Sequence, residues 1–219
     1  MTAGVRDLGG GLWTWTARHP EWHPGEFGAV VRSYAARSGD HTLLIDPLVL
    51  SDETWEELDG IVTGPVDTVI TIGYHVRSAE VAQSRYGGSI YGPAAVAKRL
   101  RSIRSFRPFA AGDTLPFGGI AHPVGNPRRQ ETPLELPGFG ALVFGDVVVE
   151  AGGELKVWVQ APLTEKRLKW YWTRFRPSLQ PLTELGVERV LVTHGAPVME
   201  RGSQELIAAL DRPWYHRPA

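Results

Sequence analysis

Five polar residues stand where apolar runs end, and their types suit metal binding or proton transfer. Asp46 closes TLLID, His75 follows VDTVITI, His122 lies in GGIAHPV, Asp146 in LVFGD and His194 in VLVTHG. Imidazole nitrogens and carboxylate oxygens are ordinary ligands for zinc, manganese or iron. The same groups can act as a general base and its orienting partner. Singly, each is more often a strand-end cap or a satisfied polar group than a functional residue. Jointly they point to a site, because strand ends of α/β sheets converge on one edge. The chain has no cysteine, which excludes disulfides, thiolate catalysis and zinc–thiolate centres. It carries no phosphate-binding glycine loop, dinucleotide fingerprint or G-x-S-x-G elbow.

Hydropathy patterning supplies the elements that must position these residues. LWTWT (12–16) alternates like a half-buried strand, and AVVRSYAA (29–36) and TLLID (42–46) follow as strands around a Ser-Gly-Asp-His turn. Ser51 caps a short helix through Leu58. VDTVITI (66–72) reads as an apolar strand, 78–86 as a helix, SIYG (89–92) as a strand, and 93–103 as a helix opened by Pro93. The second half restarts near Gly112. GGIAHPV (118–124) and FGALVFGDVVV (139–149) read as strands, with a polar loop at 125–131 between them. LTEKRLKWYWTRF (163–175) has helical spacing with Leu168, Trp172 and Phe175 on one face, and Pro177 is expected to stop or kink it. A helix over 178–186, a buried strand over 188–195 and a helix over 203–210 close the chain.

Bulk properties narrow the function classes. The chain has 219 residues, 42% hydrophobic and 21% charged, enough for one α/β domain with a substantial core. Its 23 basic and 24 acidic residues give a formal charge of −1, so no global field favours nucleic acid or an anionic membrane. No apolar run is long enough to span a membrane, and MTAGVRDLGGG lacks a secretory signal's apolar core. A cytoplasmic location is the expectation. The aromatic–basic mixture at 163–176 is better read as an amphipathic helix packing inward than as a nucleic-acid surface. Trp13, Trp15, His19, Trp22 and His23 form an N-terminal aromatic cluster that suits core, pocket wall or a homodimer contact, and oligomeric state stays open.

In the order and spacing of its strand-end residues the chain resembles the metallo-β-lactamase superfamily over roughly residues 10–200. Asp46 in LIDP matches the first acid, His122 in AHPVG the third-motif histidine, Asp146 in FGD the acid that bridges two metals, and His194 in THG the last histidine. The resemblance implies an α/β fold (α+β in some schemes), a four-layer αββα sandwich. It would form one domain over 1–219, with halves at about 10–110 and 111–210.

The first metal motif departs from the family. Where T-H-x-H-x-D-H is expected, this chain has Thr71-Ile72-Gly73-Tyr74-His75-Val76-Arg77. Aligned on Thr71 no ligand survives; a slide of one residue places only His75 on a histidine position. The resemblance then implies a metal set of His122, Asp146 and His194 with His75 as an optional fourth. That set holds at most one divalent ion (zinc, manganese or iron), or none, and argues against a two-metal mechanism. Asp46, His75, Arg77 and Asp146 are the candidate catalytic residues. The Arg77 guanidinium is expected to replace part of the missing metal charge by pairing with Asp146 or Asp46. Tyr74 and Trp172 are candidate pocket walls.

Three functions follow. One is a hydrolase of a small ester, amide, lactone or phosphodiester using a single ion. The second is a metal-free small-anion-binding or non-catalytic descendant of the fold. The third is a metal-free enzyme using a His–Asp pair for acid–base chemistry.

Overall fold

The structure, a computed structural model, describes residues 3–23, 27–125, 131–159 and 163–214. Its first half is a seven-stranded sheet in sequential order: β1 (Ala3–Gly9), β2 (Leu12–Arg18), β3 (Val30–Ser38), β4 (His41–Ile45), β5 (Val66–Val69), β6 (Ile90–Pro93) and β7 (Phe106–Phe109). β1 to β4 are antiparallel; β4 to β7 are parallel. Parallel neighbours need crossovers. Helices α1 (Asp52–Ile61) and α2 (Ala79–Tyr86) provide two of them. Ser51 caps α1 as its spacing predicts, accepting the Thr54 N–H.

The second half holds two smaller sheets. β8 (Ile120–Ala121), β9 (Leu134–Leu136), β10 (Ala141–Phe144) and β13 (Arg189–Val192) form one, in the order β13-β10-β9-β8. β11 (Val148–Glu150), β12 (Leu155–Trp158) and β14 (Pro213–Trp214) form the other, in the order β11-β12-β14. Helices α3 (Glu165–Trp170), α4 (Arg176–Thr183) and α5 (Gly202–Leu210) belong to this half.

Three apolar layers hold the sandwich together. Between the sheets, Leu12, Tyr34 and Ile45 pack with Leu134, Val143 and Leu191. Outside the first sheet, Trp15 and Leu44 pack with Trp55 and Leu58 of α1 and Ala82 of α2. Outside the second half, Phe144 and Val157 pack with Leu179 of α4 and Leu206 of α5. The order is therefore helices, sheet, sheets, helices: the αββα sandwich. Trp13 and Trp15 are buried in this core, and the Trp15 Nε1–H donates to the Leu48 carbonyl.

Several elements differ from the sequence reading. The apolar run 139–149 is two strands in two sheets, β10 and β11, because the amides between them turn out of the ladder. The helix expected over 93–103 is a 3₁₀ stretch, Ala94–Arg99; its start has no side-chain cap and Leu100 returns to extended backbone. Pro177 neither stops nor sharply ends the 163–175 helix. A π-type turn at Tyr171–Phe175 widens the spiral, and Pro177 falls in the first turn of α4, where no N–H is needed. Tyr171 and Phe175 are buried there, whereas Trp172 is 44% exposed, so Trp172 is not on the packed face. β1, β7, β9, β12 and β14 are short or weakly alternating and were not expected. Among the described residues no helix is long and apolar enough to cross a membrane.

Candidate functional site

Asp46 follows β4 with a φ of 45°, a left-handed conformation that aspartate tolerates better than most residues. The turn aims its carboxylate across to the end of β5. There it accepts the Thr71 N–H at 2.9 Å and the Thr71 hydroxyl at 2.5 Å, and it lies 3.0 Å from His75 Nδ1. Its own carbonyl accepts the Ser33 hydroxyl at 2.8 Å and Arg77 Nη1–H at 2.9 Å.

Arg77 is also left-handed, with a φ of 42°. Two of the three non-glycine residues of positive φ among the described residues thus stand side by side here, the third being Arg201. Such concentrated strain is held only where surrounding contacts impose it. The loop is pinned at Ser78, whose N–H donates to the Pro47 carbonyl and whose hydroxyl accepts the Val49 N–H.

The second half brings up Asp146 and His194. Between β10 and β11, the Gly145, Asp146 and Val147 amides all donate to the Glu131 carboxylate at 2.9 Å. This buried cradle breaks the strand and fixes Asp146. Gly145 is required by close approach, since a Cβ there would lie 2.8 Å from Thr71 Oγ1. His194 leaves β13 beside the Phe27 ring, 4.8 Å between centroids, and 6.4 Å from Trp158. Sheet-one side chains clamp this strand end: Tyr34 Oη–H donates to the Val192 carbonyl and Arg32 Nε–H to the Gly195 carbonyl.

The result is a chain of four groups. Asp46 faces His75 Nδ1; His75 Nε2 lies 3.4 Å from Asp146 Oδ1; His194 Nε2 lies 3.6 Å from the same oxygen. Burial and the Arg77 charge oppose protonation of His75, but Asp46 and Asp146 on its two sides outweigh them and raise its pKa. Burial opposes ionisation of Asp146, yet hydrogen bonding to His194 and His75 holds its carboxyl well below the ordinary range. For His194 burial prevails over Asp146, with Arg77 and His75 adding to it, and its pKa falls. Burial likewise lowers Arg77 against the pull of Asp46 and Asp146. The site therefore pushes its two imidazoles in opposite directions around one carboxylate, His75 toward its charged form and His194 toward its neutral one, with a guanidinium nearby. The buried His194 Nδ1 has no hydrogen-bond partner among the described residues.

Of the residues singled out in the sequence, the fold brings Asp46, His75, Arg77, Asp146 and His194 together. Arg77 faces the cluster as expected, but it bonds the Asp46 carbonyl rather than either carboxylate. His122 does not join them: its Nε2 lies 2.8 Å from Glu135 Oε2 on β9. Tyr74 is 51% exposed beneath the Arg99 guanidinium, 4.9 Å away, and Trp172 is covered by Arg176 at 5.8 Å. Among the described residues no group of three or more His, Asp and Glu side chains is arranged to hold a metal ion. With His122 committed to Glu135 and both other imidazoles approaching a single oxygen, the donors as they stand do not fit the four-ligand set expected from sequence. Sequence reasoning missed Glu131, Ser33, Phe27 and Trp158. Glu131 sat in a polar stretch read as loop, and nothing in its type announced a buried acid.

Comparison with protein-family profiles and with curated sequences finds no match. Solved structures do match across almost the whole chain. TMB-1 superposes with a TM-score of 0.65 at 14% identity, covering 95% of this chain and 98% of that one. A metallo-β-lactamase from Pontibacter korlensis gives 0.63 at 19% identity, covering 94% and 98%. The metallo-β-lactamase FIM-1 from Pseudomonas aeruginosa, solved in a mono-zinc form, gives 0.60 at 13% identity, covering 95% and 96%. At these identities the likeness establishes the fold.

Proposed function

We propose that this chain, built on the metallo-β-lactamase fold, is a small-molecule hydrolase whose acid–base chemistry runs through His194 and whose charge stabilisation comes from His75 and Arg77. The domain would be the whole of 1–219, with the site between its halves. One observation carries the reading: His194 presents Nε2 to Asp146 while its buried Nδ1 has no partner. A carboxylate on one ring nitrogen fixes the tautomer that leaves the other as an acceptor. In the proposed step the site opens to admit one water to the buried His194 Nδ1, which takes its proton as that water attacks an ester, amide, lactone or phosphodiester. His75, with a carboxylate against each nitrogen, is biased toward its cationic form and holds its protons in place. With Arg77 it supplies positive charge where an oxyanion develops, the role preorganised charges play in acyl transfer.

The test is a panel of activated esters, lactones and phosphodiesters assayed with and without a chelator. Turnover that resists the chelator and is lost in His194→Ala is the expected result. Turnover abolished by the chelator and restored by zinc overturns it.

A second reading, one divalent ion on His75, Asp146 and His194, would need these donors to rearrange, since as they stand they are not arranged to hold an ion; two of their separations nevertheless suit one. The 3.4 Å and 3.6 Å separations are close to the roughly 3.3 Å between ligands across a tetrahedral zinc. Asp46 on His75 Nδ1 would then orient a metal ligand. This reading needs His75 to be deprotonated, and zinc, manganese or iron binding measured by calorimetry decides it.

A further inference from the structure

The segment that follows β6 is unusual for a chain of net charge −1. Lys98, Arg99, Arg101, Arg104 and Arg107, five of its 23 basic residues, fall within ten positions and are all exposed. Elsewhere Arg85, Arg176 and Arg212 are neutralised, by Asp59, Asp211 and Glu154; what sets this segment apart is the number of free cations in so short a stretch. None of these five forms an ion pair among the described residues. The nearest acid, Glu80, accepts the Arg101 and Ser102 backbone N–H groups instead. Arg107 uses Nη1 on the Arg104 and Phe106 carbonyls, which holds the charge in place without cancelling it.

The patch is anchored to the loop that carries the site. Val96 and Phe106 pack with Ile70 and Ala79, on either side of His75 in sequence. A Cβ on Gly73 would lie 3.5 Å from the Ala95 Cβ, so the two segments pass close together. Arg99 stacks over Tyr74, the residue before His75. An unneutralised cationic surface beside a site raises the local concentration of anions and steers them inward.

We propose that the ligand of the site is a small molecule carrying at least two negative charges, a phosphoryl or polycarboxylate compound, docked by Arg99 on its Tyr74 platform and drawn in by Lys98, Arg101, Arg104 and Arg107. This rests on the preceding reading only in taking the His75–Asp146–His194 cluster as the ligand's destination. A guanidinium seated on an aromatic face keeps its outward N–H groups for a planar oxyanion.

The experiment is titration calorimetry with inorganic pyrophosphate and with citrate, in low and in physiological salt. Wild type is expected to bind at least one, more weakly as salt rises. Arg99→Ser is expected to bind roughly tenfold more weakly, and Arg99→Ser/Arg101→Ser to lose most of the salt dependence. Arg212→Ser, an exposed cation elsewhere, is expected to behave as wild type, and unchanged melting temperatures exclude misfolding. Preference between the two probes separates phosphoryl from carboxylate ligands. Equal binding by the Arg99 variants, no binding of either probe by wild type, or binding of an oligonucleotide without either small anion overturns the proposal. A protein that binds pyrophosphate or citrate but hydrolyses nothing overturns the hydrolase reading and leaves this one standing.

Discussion

The parallel strands β4 and β5 carry a His–Asp pair at each end. At their start, His41 Nε2 lies 3.1 Å from Asp67 Oδ2; past their end, His75 Nδ1 lies 3.0 Å from Asp46 Oδ2. The contacts are nearly equal, but the settings differ. The His41 and Asp67 side chains are 26% and 14% exposed, those of His75 and Asp46 8% and 2%. His41 lines an open cavity of about 240 Å³ with Ser38, Phe117 and Phe139. His75 is closed in by the second half of the molecule, which adds a second carboxylate and a second imidazole. A histidine–carboxylate contact is thus not a site by itself. It becomes one at the carboxyl ends of the strands, where the two halves meet and water is excluded.

This contrast can be broken or sharpened by experiment. The largest expected difference is in turnover. His194→Ala should lower it by about 10²–10⁴-fold, while His41→Ala should stay within about twofold of wild type. Equal losses would remove the distinction between the ends. Stability should follow the same order. Asp46→Ala leaves His75 Nδ1 and the Thr71 N–H and hydroxyl without their partner in the interior and should cost about 3–5 kcal/mol in urea unfolding. Asp67→Ala should cost about 1 kcal/mol, mostly the lost cap on the Ser89 N–H.

A smaller effect is expected from pH. The raised pKa of His75 makes it a stabilising group below the unfolded value of 6.5, and that contribution disappears as pH rises through its folded pKa. The lowered pKa of His194 works the other way: its contribution is present above 6.5 and is lost as pH falls toward its folded pKa. The stability gap between wild type and His75→Gln should therefore narrow as pH rises, and that for His194→Gln should narrow as pH falls. Parallel gaps would show that the two imidazoles are not held in opposite states. The smallest effect should be that of added zinc, a shift of less than about 1 °C in melting temperature. A rise of several degrees, absent in His194→Ala, would instead support the one-ion reading.

What the sequence displayed depended on whether a residue's role was local. Alternation in LWTWT, the Ser51 cap and the strand-end placement of Asp46, Asp146 and His194 are local signals, and all of these appear in the structure. His75 was legible only because one histidine remained in a degenerate motif. His122 carried the same strand-end signal and misled, because its partner Glu135 is set by the pairing of β8 with β9, which no periodicity reveals. Trp172 and Phe175 looked alike on a 3.6-residue wheel. The π-type turn shifts the phase, burying Tyr171 and Phe175 and releasing Trp172. Glu131 was invisible for a further reason: a carboxylate bound to three backbone amides uses none of its side-chain neighbours' types.

The break between β10 and β11 also has a kinetic meaning. One continuous apolar run enters two different sheets, and the bend between them is fixed by Glu131 from upstream, Thr71 from the first half and His194 from β13. Closing such distant segments costs chain entropy before any contact repays it. The second half supplies both Glu131 and the amides it binds, but the first half's Thr71 closes over Gly145, so the bend is completed only when the sheets dock. The Gly145, Asp146 and Val147 amides should accordingly exchange their hydrogens only through global unfolding. Their protection would then measure the stability of the whole sandwich from inside its site.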